Sequence, residues 1–224
     1  MNKLNHIAFI MDGNGRWGIK KKKSRNFGHL AGIKTVEKIV RASINFKIPI
    51  ITFFVFSTEN WKRPKQEVNY LLNLINIYFN KEINNIIKNN IRIVVSGRLK
   101  KLPIKTCDIL KKIISKTKRN SKLIINLAIN YGSKIEIIDT INKIIYKSKK
   151  ITEENINKNL YSDLVFPDIL VRTGGQRRLS NFMLWQLSYS EIFFLDKLWP
   201  DFNKNDLKKI INQYHQIKRN FGGV

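Results

Sequence analysis

The segment Met11-Asp12-Gly13-Asn14-Gly15-Arg16-Trp17-Gly18 sets an acid, permissive glycines and an arginine directly after an apolar run. That combination suits a phosphate group. Glycines let the main chain approach an anion with its N–H groups exposed, and an arginine fork adds charge-assisted hydrogen bonds of roughly 1.5 to 3 kcal/mol each. Arg25 and His29 follow within reach of the same loop. A carboxylate beside phosphate-binding groups makes chemical sense when a divalent metal bridges them, so Asp12 is a candidate metal ligand. The competing structural reading is a tight turn with a surface acid.

A second basic loop, Arg172-Thr173-Gly174-Gly175-Gln176-Arg177-Arg178-Leu179-Ser180-Asn181, leads into Phe182–Leu187, an apolar stretch that reads as a helix. Three arginines, two glycines and a serine before a helix make another anion cradle. Glu191 follows shortly afterwards. The third polar segment, Ser57-Thr58-Glu59-Asn60-Trp61-Lys62-Arg63-Pro64, reads by itself as a capped helix start rather than as a site. Two cradles and two candidate metal carboxylates, Asp12 and Glu191, suggest two phosphorylated substrates meeting at a metal. Spacing says nothing of their organic parts.

Gly13, Gly15 and Gly18 also satisfy G-x-G-x-x-G, the dinucleotide fingerprint. The match is false on chemistry: Asp12 would oppose a pyrophosphate, and the acid expected after the second strand is replaced by Ser57-Thr58. Gly18 is followed by Ile19 rather than lysine, which excludes a P-loop.

The elements that must position these loops are legible as hydrophobic pattern. Short runs rich in β-branched and aromatic residues at Ile7–Met11, Ile50–Phe56, Ile91–Val95, Leu123–Ile129, Ile169–Val171 and Ile192–Leu195 predict buried strands. Helical spacing predicts helices at Ala31–Phe46, Gln66–Lys88, Ile104–Lys118, Lys134–Tyr146 and Asp206–Arg219, with Lys147–Asn159 as a surface connection. Alternation of the two predicts an α/β fold with a mainly parallel central sheet flanked by helices. Ligands of such sheets bind beyond the carboxyl ends of the strands, where the three polar segments fall.

Composition bounds the remaining classes. The 224 residues suit one compact domain, and no apolar stretch approaches the roughly 18 to 20 residues that span a bilayer, so a cytoplasmic protein is expected. A single cysteine, Cys107, excludes an intrachain disulfide and a cysteine-based zinc site. The net charge of +26 favours polyanionic partners, although runs such as Asn84-Asn85-Ile86-Ile87-Lys88-Asn89-Asn90 point to compositional drift as well. A nucleic-acid module would interleave aromatics with basic residues on one exposed face, whereas these tryptophans sit in strand-end motifs and apolar runs, so no nucleic-acid partner is expected. No two aspartates are adjacent, which disfavours the aspartate-rich trans-type prenyl synthases.

Taken together the motifs resemble the cis-prenyltransferase family, particularly undecaprenyl diphosphate synthases. The resemblance runs in order from His6 to Trp17, through Phe27-Gly28-His29 and Phe56 to Pro64, to Asn130-Tyr131-Gly132, Arg172 to Gly175, Arg178 to Phe182, Trp185-Gln186 and Leu198 to Phe202. It covers nearly the whole chain as a single cis-prenyltransferase domain, residues 1–224.

This resemblance implies sequential condensation of isopentenyl diphosphate onto an allylic primer such as farnesyl diphosphate, giving undecaprenyl diphosphate, precursor of the peptidoglycan lipid carrier. It implies Asp12 as the essential metal-linked acid, with Gly13, Asn14, Gly15, Arg16, Arg25 and Arg63 around the allylic diphosphate and Trp17 and His29 flanking it. Arg172, Arg178, Leu179 and Ser180 match the isopentenyl diphosphate site, with Glu191 contributing to Mg2+ there. Asn60 matches the residue assigned as proton acceptor, among Ser57, Thr58, Glu59 and Trp61. A neutral amide is a poor base, so positioning the released diphosphate is the easier chemistry. The resemblance puts a product tunnel along Val68, Leu71, Leu72, Ile75, Phe79, Ile83 and Ile86, with Leu123 as a length stop; ordinary core packing explains the same apolar face. A homodimer and a transient contact with the inner face of the membrane are further expectations. Gln176 stands where many members carry Glu, Arg177 adds a charge, and Gly18 and the run Lys20–Lys23 also depart from common members.

Overall fold

The computed structural model describes residues 2–219. Six strands, β1 (His6–Ile10), β2 (Ile50–Ser57), β3 (Ile91–Ser96), β4 (Leu123–Tyr131), β5 (Ile169–Arg172) and β6 (Glu191–Phe194), form one parallel sheet in the order β3-β4-β2-β1-β5-β6. Among the described residues seven α-helices accompany them: α1 (Asn14–Lys20), α2 (Arg25–Asn45), α3 (Lys65–Lys88), α4 (Ile104–Thr117), α5 (Ser133–Tyr146), α6 (Glu153–Asn159) and α7 (Lys204–Gln216).

The chain divides into two compact units. The first comprises Met1–Ile51, Phe166–Arg178 and Gln186–Val224; the second comprises Thr52–Val165 and Leu179–Trp185. In the first, β1 and β5 are buried along their whole length, as near-continuous apolar runs dictate in a parallel sheet. Edge strand β6 alternates instead, leaving Ile192 and Phe194 exposed. The core here is aromatic: Trp199 stacks on Phe202 with centroids 5.5 Å apart, Phe9 packs on both, and the Trp199 indole donates to the Gly32 carbonyl at 3.0 Å.

In the second unit β3 pairs with β4 in register Ile91↔Leu123. Helix α3 starts after Pro64, whose missing N–H costs nothing there, and buries Val68, Leu72, Ile75, Phe79, Ile83 and Ile86. Leu71 is only half-buried and Leu123 is fully buried. Phe54 stacks on Phe182 at 4.4 Å, and the buried Glu136 accepts from the Tyr131 hydroxyl and from the Tyr161 N–H at 3.0 Å.

The structure departs from the sequence expectations in three places. Residues 14–20, read as an anion loop, are a short helix; residues 153–159 form a helix whose cap is Thr152, accepting from the Asn155 N–H at 3.2 Å. Phe182–Leu187 is not a helix but a run of turns, because Ser180, Asn181 and Met183 all take positive φ. Asn181 accepts the Lys134 N–H at 2.9 Å and its carbonyl accepts the Ser133 N–H at 2.8 Å, so this segment spends its polar groups on the start of α5.

Candidate active site

Strand register builds the first unit's site. Ile10 lies opposite Arg172, so the residues following β1 and β5 emerge side by side at the carboxyl ends of the strands. Arg172 Nη2 donates to Asp12 Oδ2 at 3.0 Å, and Arg16, one helical turn beyond Asp12, donates to Oδ1 at 3.1 Å. Arg16 also donates to the Gly174 carbonyl at 2.7 Å. The Asp12 main chain is fixed from two further sides: Thr173 Oγ1 accepts its N–H at 3.1 Å, and the Trp199 N–H donates to its carbonyl at 3.0 Å. The Arg172 side chain is only 4% exposed against 29% for Asp12, so a buried cation meets a carboxylate with one face in solvent. A buried guanidinium needs such a partner, and the open face leaves the carboxylate reachable.

Two glycines are required by this geometry. Gly13 has φ 107, and a Cβ there would lie 2.7 Å from the Leu198 side chain; Gly174 has φ 89, and its Cβ would lie 2.6 Å from the Arg16 guanidinium. Gly15 lies under the Arg25 guanidinium, which a Cβ would meet at 2.8 Å. Helix α1 begins with no side-chain cap and no acid in its first turn. Its first N–H groups and the three arginines therefore suit an anion beside Asp12.

Asn14 lies in the first turn of α1 with its Oδ1 buried towards Gly32. Trp17 stacks on Phe27 at 5.9 Å and donates to Asp201 at 2.7 Å; His29 is partly exposed on α2. Arg178 is exposed, donates to Gln176 Oε1 at 2.5 Å, and its carbonyl accepts from Arg172. Gln176 thus serves as a neutral acceptor, and no acid acts at that position.

Glu191 is not brought to Asp12 within the chain. It opens β6 level with Ile169, three residues before Phe194, the partner of Arg172. That is roughly 10 Å of strand rise away from the carboxyl ends. Its carboxylate faces Arg219 at 3.5 Å, which also meets Asp168 at 3.6 Å. Asp12 and Glu191 therefore lie at different levels of the sheet.

The second unit holds the other candidate residues on a 3-10 turn, Thr58–Lys62. Asn60 accepts the Ser57 N–H at 3.2 Å, Trp61 donates its indole N–H to Asn130 at 2.7 Å, and Arg63 pairs with Glu67 at 3.1 Å. Asn181 donates to Glu59 at 2.8 Å. Burial pushes the Glu59 carboxyl up, but hydrogen bonds from Asn181, its own backbone, Ser57 and Thr58 outweigh it and hold the group below the usual range. Thr58 crowds Gly132, where a Cβ would come within 2.6 Å of its hydroxyl. Half-buried Leu179 and exposed Ser180 precede Asn181, Ser180 with φ 50.

Three positioning residues were not singled out by sequence: Thr173, Asn130 and Asn181. Asn130 is 3% exposed and takes φ 49, and only the fold reveals that its side chain spans two loops. A polar residue next to last in a mostly apolar strand was the available signal.

Among the described residues no three His, Cys, Asp or Glu side chains form a ready-made metal cage. A lone carboxylate with an open face still fits Mg2+, which keeps several waters and binds through one or two carboxylates plus substrate phosphates.

Comparison with known proteins bears on this geometry. The family described as "Putative undecaprenyl diphosphate synthase" matches residues 10–222. An "Isoprenyl transferase" of Fusobacterium nucleatum is 46% identical over 220 residues, covering 98% of this chain and 96% of the relative. The crystal structure of a "probable undecaprenyl diphosphate synthase" from Campylobacter jejuni superposes with a TM-score of 0.86 at 37% identity, covering 99% and 100% of the two chains. Lavandulyl diphosphate synthase from Lavandula x intermedia, in complex with dimethylallyl diphosphate, gives 0.93 at 28% identity, covering 97% and 98%. Agreement over this length defines the class, an enzyme that transfers prenyl groups. The chain belongs to the undecaprenyl diphosphate synthase family, and its activity is cis-prenyl chain elongation.

Proposed function

We propose that the chain condenses isopentenyl diphosphate repeatedly onto farnesyl diphosphate to give undecaprenyl diphosphate, the precursor of the peptidoglycan lipid carrier. The observation that carries this reading is Asp12 held between Arg16 and Arg172 where β1 and β5 end, with Arg25 over Gly15 of the helix that follows. Residues 1–224 act in this reading as a single cis-prenyltransferase domain, and the strong kinship with isoprenyl transferases favours elongation over a single coupling.

Arg16, Arg25 and Arg63, with Gly13, Asn14 and Gly15, bind the allylic diphosphate; Trp17 and His29 flank its first carbons. Arg172, Arg178, Leu179 and Ser180 hold isopentenyl diphosphate. Fixed arginines match the charge that grows on a departing diphosphate, so they stabilise the transition state more than the ground state. The allylic C–O bond breaks, the double bond of isopentenyl diphosphate attacks the cationic allylic carbon, and loss of a proton from its C2 completes the new double bond. Ser57, Thr58, Glu59, Asn60 and Trp61 position the groups that take that proton; the Asn60 amide orients an acceptor rather than acting as the base. Asp12 is the residue that would hold Mg2+, which supplies further charge neutralisation on the diphosphates when bound.

A homodimer through the exposed β6 edge, bearing Ile192 and Phe194, is part of the same reading. So is a cytoplasmic location with transient membrane contact; among the described residues no helix is long and apolar enough to cross a membrane. The test is incubation with farnesyl diphosphate, labelled isopentenyl diphosphate and Mg2+, resolving product length. Long product that vanishes with Asp12→Ala supports the reading. No incorporation by folded protein with several primers overturns it.

A further inference from the structure

We infer that the turn between α1 and α2 is a docking surface for a bilayer rich in anionic phospholipid. Four consecutive lysines, Lys20 to Lys23, form this turn, and all four are exposed. Between Gly13 and Val36 the chain carries seven basic side chains and no acid, and of these Arg16 is paired with Asp12 just before the segment. Three large apolar side chains stand with them in solvent: Ile19 is 58% exposed, Phe27 43% and Leu30 45%. Ile19 lies in the last turn of α1, while Phe27 and Leu30 are three apart on α2 and share a face.

The arrangement is rigid rather than a loose basic tail. Glycines let the two helices touch: a Cβ on Gly28 would lie 1.9 Å from the Asn14 carbonyl oxygen, and one on Gly18 would lie 2.2 Å from that of Ser24. Lys22 takes φ 55, the Lys23 N–H donates to the Gly18 carbonyl at 2.9 Å, and the Ser24 hydroxyl accepts the Phe27 N–H at 3.1 Å. Lys21 lies over the Trp17 ring at 5.7 Å, and Trp17 is itself stacked on Phe27. Cations and apolar side chains are thus held together on one hairpin before any partner arrives.

The chemistry selects the occupant. Each lysine near an anionic membrane surface improves partitioning about fivefold, and exposed aliphatic groups add to it by entering the headgroup and acyl boundary. Ile19 and Leu30 offer nothing to a phosphodiester backbone, and the two aromatic rings face each other instead of presenting open platforms for bases. The surface lies on the same short helix that carries Arg16 to Asp12. Only the purpose of the contact, handing over a long apolar product, rests on the proposed activity; the contact itself needs no turnover.

The experiment is vesicle flotation of the full chain on phosphatidylglycerol and phosphatidylcholine in about equal parts, beside phosphatidylcholine alone. Lys20→Gln, Lys22→Gln and Lys23→Gln are combined in one variant, with unchanged thermal unfolding as the check on folding. A second variant removes the same charge from exposed positions of α4, Lys111→Gln, Lys112→Gln and Lys116→Gln. The expected result is binding to the anionic vesicles that weakens with salt, falls about tenfold or more in the turn variant and at most about twofold in the α4 variant. Ile19→Ser is expected to lower it severalfold. No vesicle binding by the wild-type chain, or equal loss in both lysine variants, overturns the inference. So does a turn variant that keeps vesicle binding while losing binding to a homopolymeric RNA. Vesicle binding by a chain that transfers no prenyl groups leaves the surface standing and removes only the proposed product.

Discussion

Trp61 is tied to Asn130 by a 2.7 Å hydrogen bond from its indole N–H, and the same Asn130 side chain donates to the Arg98 carbonyl at 2.9 Å. Arg98 returns its own N–H to the Asn130 carbonyl at 3.2 Å, so one buried asparagine joins the loops after β2 and β3. Phe56 supports the indole edge-on at 5.2 Å. The segment proposed to orient the reacting groups is therefore held by a residue that need not touch substrate.

Asn130→Gly keeps the left-handed backbone and deletes both side-chain bonds. It is expected to shift Trp61 fluorescence, read against a Trp61→Phe reference, and to lower kcat about tenfold with little change in KM for the primer. A fluorescence shift without loss of kcat would mean that the tie serves the fold alone.

Asp12→Ala leaves Arg172 buried without its carboxylate partner. Turnover is expected to fall by three orders of magnitude or so, and stability by about 2 kcal/mol, the worth of a hydrogen bond to a charged group. Asp12→Asn is expected to recover most of the stability and little of the activity, because an amide can pair with Arg172 but cannot bind a divalent ion well. Urea unfolding beside the prenyl transfer assay separates the two losses.

Asn76 is buried among the apolar residues of α3, with its Oδ1 lacking a hydrogen bond. Asn76→Leu removes an unsatisfied acceptor at similar volume, so it is expected to stabilise by about 1 kcal/mol and raise Tm by about 3 °C. A lower Tm would show that the amide has a partner in solution. Product length in this variant reports whether α3 lines the growing chain.

The Asp139 carboxyl is held below the ordinary carboxylate range, first by the hydrogen bond from Arg98 at 2.7 Å and against the opposing effect of burial. A depressed native value means that the unfolded chain takes up the proton more readily. The stabilisation is therefore present above about pH 4 and is lost as pH falls through the native value. Asp139→Asn is expected to be less stable at neutral pH and to lose less on acidification, measured as Tm against pH.

Tyr161, hydrogen-bonded to the same carboxylate, is pushed up by burial and by Asp139. Its contribution is present below about pH 10 and is lost as pH climbs towards the raised native value. Tyr161→Phe should soften the alkaline limb of the same profile.

Much of the fold was legible because parallel strands and amphipathic helices write themselves as pattern. Every strand run and the five long helical segments correspond to observed elements, with ends displaced by a few residues as caps took over. What escaped had competing local signals. Residues 14–20 carry two glycines and read as a loop, yet Gly18 is needed where α1 meets Ser24 and Gly28. Phe182–Leu187 has helical composition, but the stacking of Phe182 on Phe54 and the bonds from Asn181 to α5 fix it as turns.

Residue types and their order alone determined the chemistry on offer: an acid among glycines and arginines after one strand, a second basic loop after another, and the family that this order resembles. Tertiary structure alone decided which groups meet. Register between β1 and β5 joins Asp12 to Arg172, 160 residues away, and register between β5 and β6 carries Glu191 to the other end of the strands and against Arg219. The physical reason is that strand pairing sets which side chains share a level of the sheet. Pairing is a long-range choice that no local pattern of residues contains.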